Sequence, residues 1–160
     1  MFSAGPEQAR ENFAVVPQDP YLFEGTIRSN LDRYHNYSDA QLIEALKAAR
    51  LDFEVSQEVH EGGRNFSVGQ RQLLCLARAI LSDRPIVVMD EPTSGVDTIT
   101  DAIIQSTLRE ALGSKTVITI AHRVETLARM DRVIELSDGR VIRDGTPAEI
   151  LPSLSREELA

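Results

Sequence analysis

Four places in these 160 residues carry side chains suited to a phosphate or a hard metal ion, and three of them follow a short apolar run. Asp90 and Glu91 follow Ile86-Val87-Val88-Met89, Gln18 follows Phe13-Ala14-Val15-Val16 by way of Pro17, and His122 follows the run from Thr116 to Ala121. A carboxylate such as Asp90, emerging at a fixed strand end, can hold Mg²⁺ directly or through water. The adjacent Glu91 can orient or deprotonate an attacking water. A neutral imidazole at His122 can donate a hydrogen bond to a terminal phosphate at pH 7. The fourth place, Gly62-Gly63-Arg64-Asn65-Phe66-Ser67-Val68-Gly69-Gln70, joins glycines to a helix start whose backbone N–H groups and Ser67 hydroxyl suit an anion.

Each place also has a plainer reading. Strands often end in solvated acids, so Asp90-Glu91 alone divides about evenly between the two. A lone His at a strand end is more often a surface or hydrogen-bonded residue than a ligand contact. Gln18 by itself is an ordinary loop residue, and Ser67-Val68-Gly69-Gln70 by itself is a capping box that starts a helix. Their arrangement is what carries weight. In open parallel sheets ligands bind at the carboxyl ends of strands, and three strands ending in an amide, an acid pair and an imidazole would face one crevice.

The elements that must position these groups are legible as patterns. The three apolar runs are β-branched and continuous, which predicts strands of a parallel sheet covered on both faces. Ser38-Asp39-Ala40-Gln41 predicts a capped helix with Leu42, Ile43, Leu46 and Ala49 on its apolar face. Ser67 to Gln70 opens a longer helix through Leu73, Leu74, Leu76, Ala77 and Ile80. Asp97 caps a third, striped by Ile103, Ile104, Leu108 and Leu112. Val133 to Leu136, Ser137-Asp138-Gly139 and Arg140-Val141-Ile142 predict a hairpin.

Composition narrows the class. Seventeen basic and 25 acidic side chains give a net charge of −8, the opposite of the clustered basic excess a nucleic-acid binder shows. The single Cys75 excludes an internal disulfide and a cysteine-based zinc cluster. The longest apolar stretch, Leu73 to Leu81, is broken by Arg78 and falls short of the roughly 20 residues a membrane span needs. The first residues, MFSAGPEQAREN, show no signal-peptide pattern. The expectation is a soluble chain facing the cytosol, with any membrane role exercised through a partner.

With these residues placed, the chain resembles the nucleotide-binding domain of ABC transporters over roughly residues 13–151. FSVGQRQLLCLARAIL followed by IVVMDEPTSGVD resembles the signature motif, its helix, the Walker B strand and the D-loop. VVPQDPYLFEGTIRSNLD looks like the Q-loop segment, and TVITIAHR like the switch-histidine strand. The motifs stand in the family's order at close to its spacing. Val68, where the family usually has Gly, and the phrase NFSVGQRQLLCLARA look like the second nucleotide-binding domain of the multidrug-resistance-associated (C) subfamily. The resemblance implies an α/β fold: an incomplete parallel-sheet core of P-loop NTPase type, with a partial helical subdomain at about 26–81. Residues 1–12 stand apart from the family pattern, residues 152–160 read as a polar tail, and the stretch from Leu51 to Gly62 is shorter than the family's.

The resemblance also implies roles. Gln18 would link Mg²⁺ to the transporter's coupling helices, Asp90 would coordinate Mg²⁺, Glu91 would be the general base and His122 would contact the γ-phosphate of ATP. Ser67, Gly69 and Gln70 would bind the γ-phosphate of an ATP held by an opposing nucleotide-binding domain, with Asp97 in the D-loop between the two sites. Partners would be that second domain and transmembrane domains, at the cytosolic face of a membrane. A phosphate-binding loop, G-x-x-x-x-G-K-[ST] between a strand and a helix, is not found in these residues. Gly113-Ser114-Lys115-Thr116 lacks its glycines and runs from helix into strand, the wrong direction. Three readings follow: an ABC-type ATPase domain coupling ATP binding and hydrolysis to transport, a half-site that lends its signature loop to another domain's ATP, or a non-functional truncated gene product. The ABC-type DNA-repair and chromosome-maintenance ATPases share motifs, but the acidic charge and lack of coiled-coil heptads disfavour them.

Overall fold

The three apolar runs form one parallel sheet. A computed structural model describes residues 5, 11–91 and 95–153 and divides the chain into two compact units, 1–119 and 120–160. Strands β1 (Phe13–Val16), β4 (Ile86–Asp90) and β5 (Thr116–Ile120) lie in the order β1-β4-β5. β1 and β4 pair in parallel, from Phe13 opposite Ile86 to Val16 opposite Met89. Two-residue strands β2 (Gly25–Thr26) and β3 (Glu58–Val59) pair antiparallel apart from this sheet.

Burial corrects one expectation. Ala14, Val16, Val87 and Met89 are buried, whereas Val15 is 66% exposed and Ile118 50% exposed. Among the described residues the sheet is therefore covered on one face rather than two. Continuous apolarity marked strand preference, since branched side chains favour the pleated backbone whichever way they point.

The covered face packs on helices. α1 (Ile27–Leu31), α2 (Asp39–Ala48), α3 (Val68–Leu81) and α4 (Thr98–Ala111) supply the rest of one core. The cap residues read from the sequence start three of these helices, α2, α3 and α4. Ser38 accepts from the Gln41 N–H, Ser67 from the Gln70 N–H, and the Asp97 carboxylate from Ile99 and Thr100. On α2, Leu42, Ala45 and Leu46 are buried while Ile43 is 39% exposed, so Ala45 takes the place expected of Ile43. On α3, Leu73, Leu74, Leu76 and Ala77 are buried, each large side chain worth about 1.5–3 kcal/mol relative to exposure. Cys75 is also buried, and burial pushes its thiol above its ordinary range, so it is an inert core residue.

Lys115 explains why the Gly113-to-Thr116 segment is no phosphate loop. Its ammonium donates to the carbonyls of Ala79 and Ser82 at the end of α3, and burial lowers its pKa. The segment follows α4 and leads into β5, as its sequence direction indicated.

The second unit is described by itself. It holds the short helices α5 (Val124–Leu127) and α6 (Pro147–Ile150) and the hairpin of β6 (Val133–Ser137) with β7 (Arg140–Gly145). Asp138 and Gly139 both take positive φ, 49° and 73°, the backbone a tight two-residue hairpin requires. Arg132 grips Asp144 with two hydrogen bonds of 2.7 and 2.6 Å. Most of the segment set apart at 1–12, and residues 154–160 of the tail, lie outside the described residues.

Candidate nucleotide site

The ends of β1 and β4 bring three of the expected residues together. Val16 stands opposite Met89, so Pro17-Gln18 and Asp90-Glu91 leave the sheet at the same end. The Gln18 side-chain amide donates to the Glu91 carboxylate over 3.3 Å. Asp90, the last residue of β4, is exposed beside them. Glu91 has φ of 37°, a left-handed backbone that is uncommon outside glycine, asparagine and aspartate. Such a conformation costs about 1–3 kcal/mol and persists where surrounding structure holds it, often at functional sites.

The donor set suits Mg²⁺. This ion prefers oxygen ligands, keeps several waters and is typically held by one or two protein carboxylates plus substrate phosphates. Asp90 offers an exposed carboxylate, and Gln18, with its NH₂ turned to Glu91, retains an amide oxygen as acceptor. Among the described residues no three His, Cys, Asp or Glu side chains gather into a metal-holding group.

A second grouping surrounds the start of α3. The loop leading into it is held by Asn65, which accepts from the His60 N–H and donates to the Glu58 carbonyl, both at 2.9 Å. Two residues earlier, Gly63 has φ of 71°, and a Cβ there would stand 2.8 Å from the Leu22 and Arg71 side chains, so glycine is the residue that fits without strain. Ser67 and Gln70 then close a reciprocal capping box: the Gln70 N–H donates to the Ser67 hydroxyl at 3.1 Å, and the Ser67 N–H to the Gln70 side chain at 2.9 Å. Both side chains are thus fixed at the positive end of a 14-residue helix, where an anion is favoured. Gly69 meets the start of α4 closely, because a Cβ at this position would lie 2.4 Å from the Thr100 methyl. Thr100 in turn donates from its hydroxyl to Asp97 at 2.6 Å. The hydrogen bonds from the Thr100 hydroxyl and backbone hold the Asp97 carboxyl below its usual range.

His122 stands two residues beyond the last residue of β5, in the second unit. Pro92, Thr93 and Ser94, between Glu91 and the Asp97 cap, lie outside the described residues. Sequence reading missed two participants. Gln72 is a 2%-exposed amide on the buried side of α3 that donates to the Pro17 carbonyl over 3.2 Å. Thr100 bridges the Asp97 cap and Gly69. The only signal for Gln72 was a polar residue beside Leu73 and Leu74, and Thr100 gave none.

Comparison with known proteins shows the family. The family model described as "ABC transporter" matches residues 3–94, reaching into the segment set apart at 1–12. The chain is 46% identical over 156 residues to "ATP-binding cassette sub-family C member 2" of Rattus norvegicus, covering 93% of the chain and 10% of that protein. It is 46% identical over 154 residues to "Probable multidrug resistance-associated protein lethal(2)03659" of Drosophila melanogaster, covering 92% and 11%. Among solved structures, a bacterial Atm1-family ABC exporter with ATP bound aligns at a TM-score of 0.79 and 34% identity, over 91% of this chain and 27% of that one. The chain therefore spans about a tenth of the length of the curated relatives it matches.

Proposed function

Given a chain that belongs to the ABC transporter family, we propose that it supplies the magnesium-holding and water-activating part of an ATP site in a multidrug-resistance-associated type of transporter. The observation that carries this reading is the Gln18–Glu91 hydrogen bond beside the exposed Asp90, at the shared end of two parallel strands. Asp90 and the Gln18 amide oxygen would hold Mg²⁺, which would supply charge neutralisation on the phosphates. Glu91 would accept a proton from the attacking water. His122 would donate to a γ-phosphate. Ser67, Gly69 and Gln70 would face the γ-phosphate of an ATP held by a second nucleotide-binding domain, with Asp97 between the two sites. Transmembrane domains of the transporter would carry the substrate, and the chain would work at the cytosolic face of the membrane. No helix among the described residues is long and apolar enough to cross a membrane.

Positioning and electrostatics dominate phosphoryl transfer. The 160 residues contain no phosphate-binding loop, whose backbone amides and lysine provide most of the contacts to the β- and γ-phosphates. On their own they are expected to bind Mg-ATP weakly, with negligible turnover. A second reading, a half-site that only lends its signature loop, is favoured by the intact Ser67–Gln70 box. Titration of the purified chain with a fluorescent ATP analogue tests the proposal. Millimolar-range, Mg²⁺-dependent binding is expected, and low-micromolar affinity would overturn the assignment of the missing contacts to the phosphate loop.

A further inference from the structure

The buried amide of Gln72 touches the backbone of the site without taking part in its chemistry. Gln72 lies on the face of α3 that packs into the core and is 2% exposed. Its Nε2 donates to the Pro17 carbonyl over 3.2 Å, across 55 positions of sequence. That carbonyl belongs to the peptide bond whose nitrogen is Gln18's, so the contact fixes the backbone that carries the candidate Mg²⁺ ligand.

The far end of the same loop is held by the same helix. Arg78 donates to the Tyr21 carbonyl at 3.0 Å and to the Asn30 carbonyl and side chain at 2.6 and 2.8 Å. Asn30 then closes on the Phe23 N–H and carbonyl, each at 2.8 Å. Between these anchors, Gln18 and Asp19 are exposed. The loop from Pro17 to Tyr21 is thus gripped at both ends by side chains of the helix whose first turn carries Ser67, Gly69 and Gln70.

A buried amide keeps one orientation because its polar atoms lose too much if they turn away from a partner. We propose that Gln72 is a positioning residue: it ties the Gln18 backbone to α3, so that the amide facing Glu91 and the Ser67–Gln70 turn move as one body. Its consequence for ATP rests on the function proposed above, but the mechanical link does not. A displacement of α3 would carry Gln18 toward or away from Glu91 without passing through the sheet. The Gln18–Glu91 contact of 3.3 Å has little length to spare before it ceases to be a hydrogen bond.

The test uses the ¹⁵N-labelled 160-residue chain without nucleotide. Gln72→Met keeps the length and burial of the side chain and removes the donor. The Gln18 side-chain amide is expected to lose its order in the ¹H–¹⁵N heteronuclear NOE, falling at least twofold. The Ile99 and Thr100 amides at the start of α4 should keep their shifts. An unchanged Gln18 amide in a folded Gln72→Met chain would overturn the inference. If that variant fails to fold, the parent chain decides. The Gln72 side-chain protons should exchange with water at least tenfold more slowly than those of exposed Gln57, and equal rates would overturn it. Failure of the ATP reading looks different: Mg-ATP would then leave Gln18, Asp90 and Glu91 unshifted in the parent chain, whatever Gln72→Met does.

Discussion

Replacing Gly69 by alanine sets two effects of known sign against each other. Alanine is favoured over glycine in a helix by about 0.8–1.0 kcal/mol, less in a first turn such as this. Against it stands the Thr100 methyl, 2.4 Å from where the new Cβ would sit, with the Thr100 hydroxyl oxygen at 3.2 Å. Carbon atoms prefer about 3.5–4.0 Å, so the overlap exceeds an ångström. Thr100 cannot turn aside cheaply, because its hydroxyl is bonded to Asp97 at 2.6 Å and its N–H to the same carboxylate at 3.0 Å. Overpacking of this kind costs about 1–3 kcal/mol, so Gly69→Ala should destabilise by roughly 1–2 kcal/mol after the helix gain. Thr100→Ser removes the clashing methyl and keeps the hydroxyl. In that background the same change should be nearly neutral, giving a coupling energy of about 1–2 kcal/mol. Urea unfolding of the parent, both single variants and the double variant, followed by far-UV circular dichroism, measures the cycle. Additive effects, with a coupling below about 0.5 kcal/mol, would refute the close approach of α3 and α4 at Gly69.

Other expectations follow from the same geometry. Glu91→Gly relieves the left-handed backbone at φ of 37° and should raise stability by up to about 1 kcal/mol, since relief of roughly 1–2 kcal/mol is offset by unfolded-chain entropy; a loss of stability in urea unfolding would count against strain there. Asp97 has a carboxyl held low by Thr100, so its contribution to stability is present above the ordinary carboxylate range and fades as pH falls through the depressed value. Asp97→Asn should therefore flatten the acid limb of a stability-against-pH profile, and an unchanged acid limb would contradict the capping geometry.

The legible parts of the molecule were those written in local chemistry. Strand cores at Phe13–Val16 and Ile86–Met89, the caps at Ser38, Ser67 and Asp97, and the Asp138-Gly139 turn all depend on neighbours within a few residues. The Thr26 cap of α1 escaped notice because its box partner is Ser29 rather than Glu or Gln, and because five residues are too few to show a helical period. Burial on the second face of the sheet was overread, since Val15 and Ile118 signal strand and core alike. At the site, residue types were legible and conformation was not. Nothing in the type of Glu91 announces a positive φ, and nothing in Gln72 names a carbonyl 55 residues away.

The most direct test is a titration of the ¹⁵N-labelled chain with ATP, with and without Mg²⁺, followed residue by residue. Mg²⁺-dependent shifts are expected at the Gln18 side-chain amide and the backbone amides of Asp90 and Glu91, growing into the millimolar range and lost in Asp90→Ala. Shifts that gather elsewhere, or that are the same without Mg²⁺, would contradict the assignment of these strand ends as the magnesium half of an ATP site.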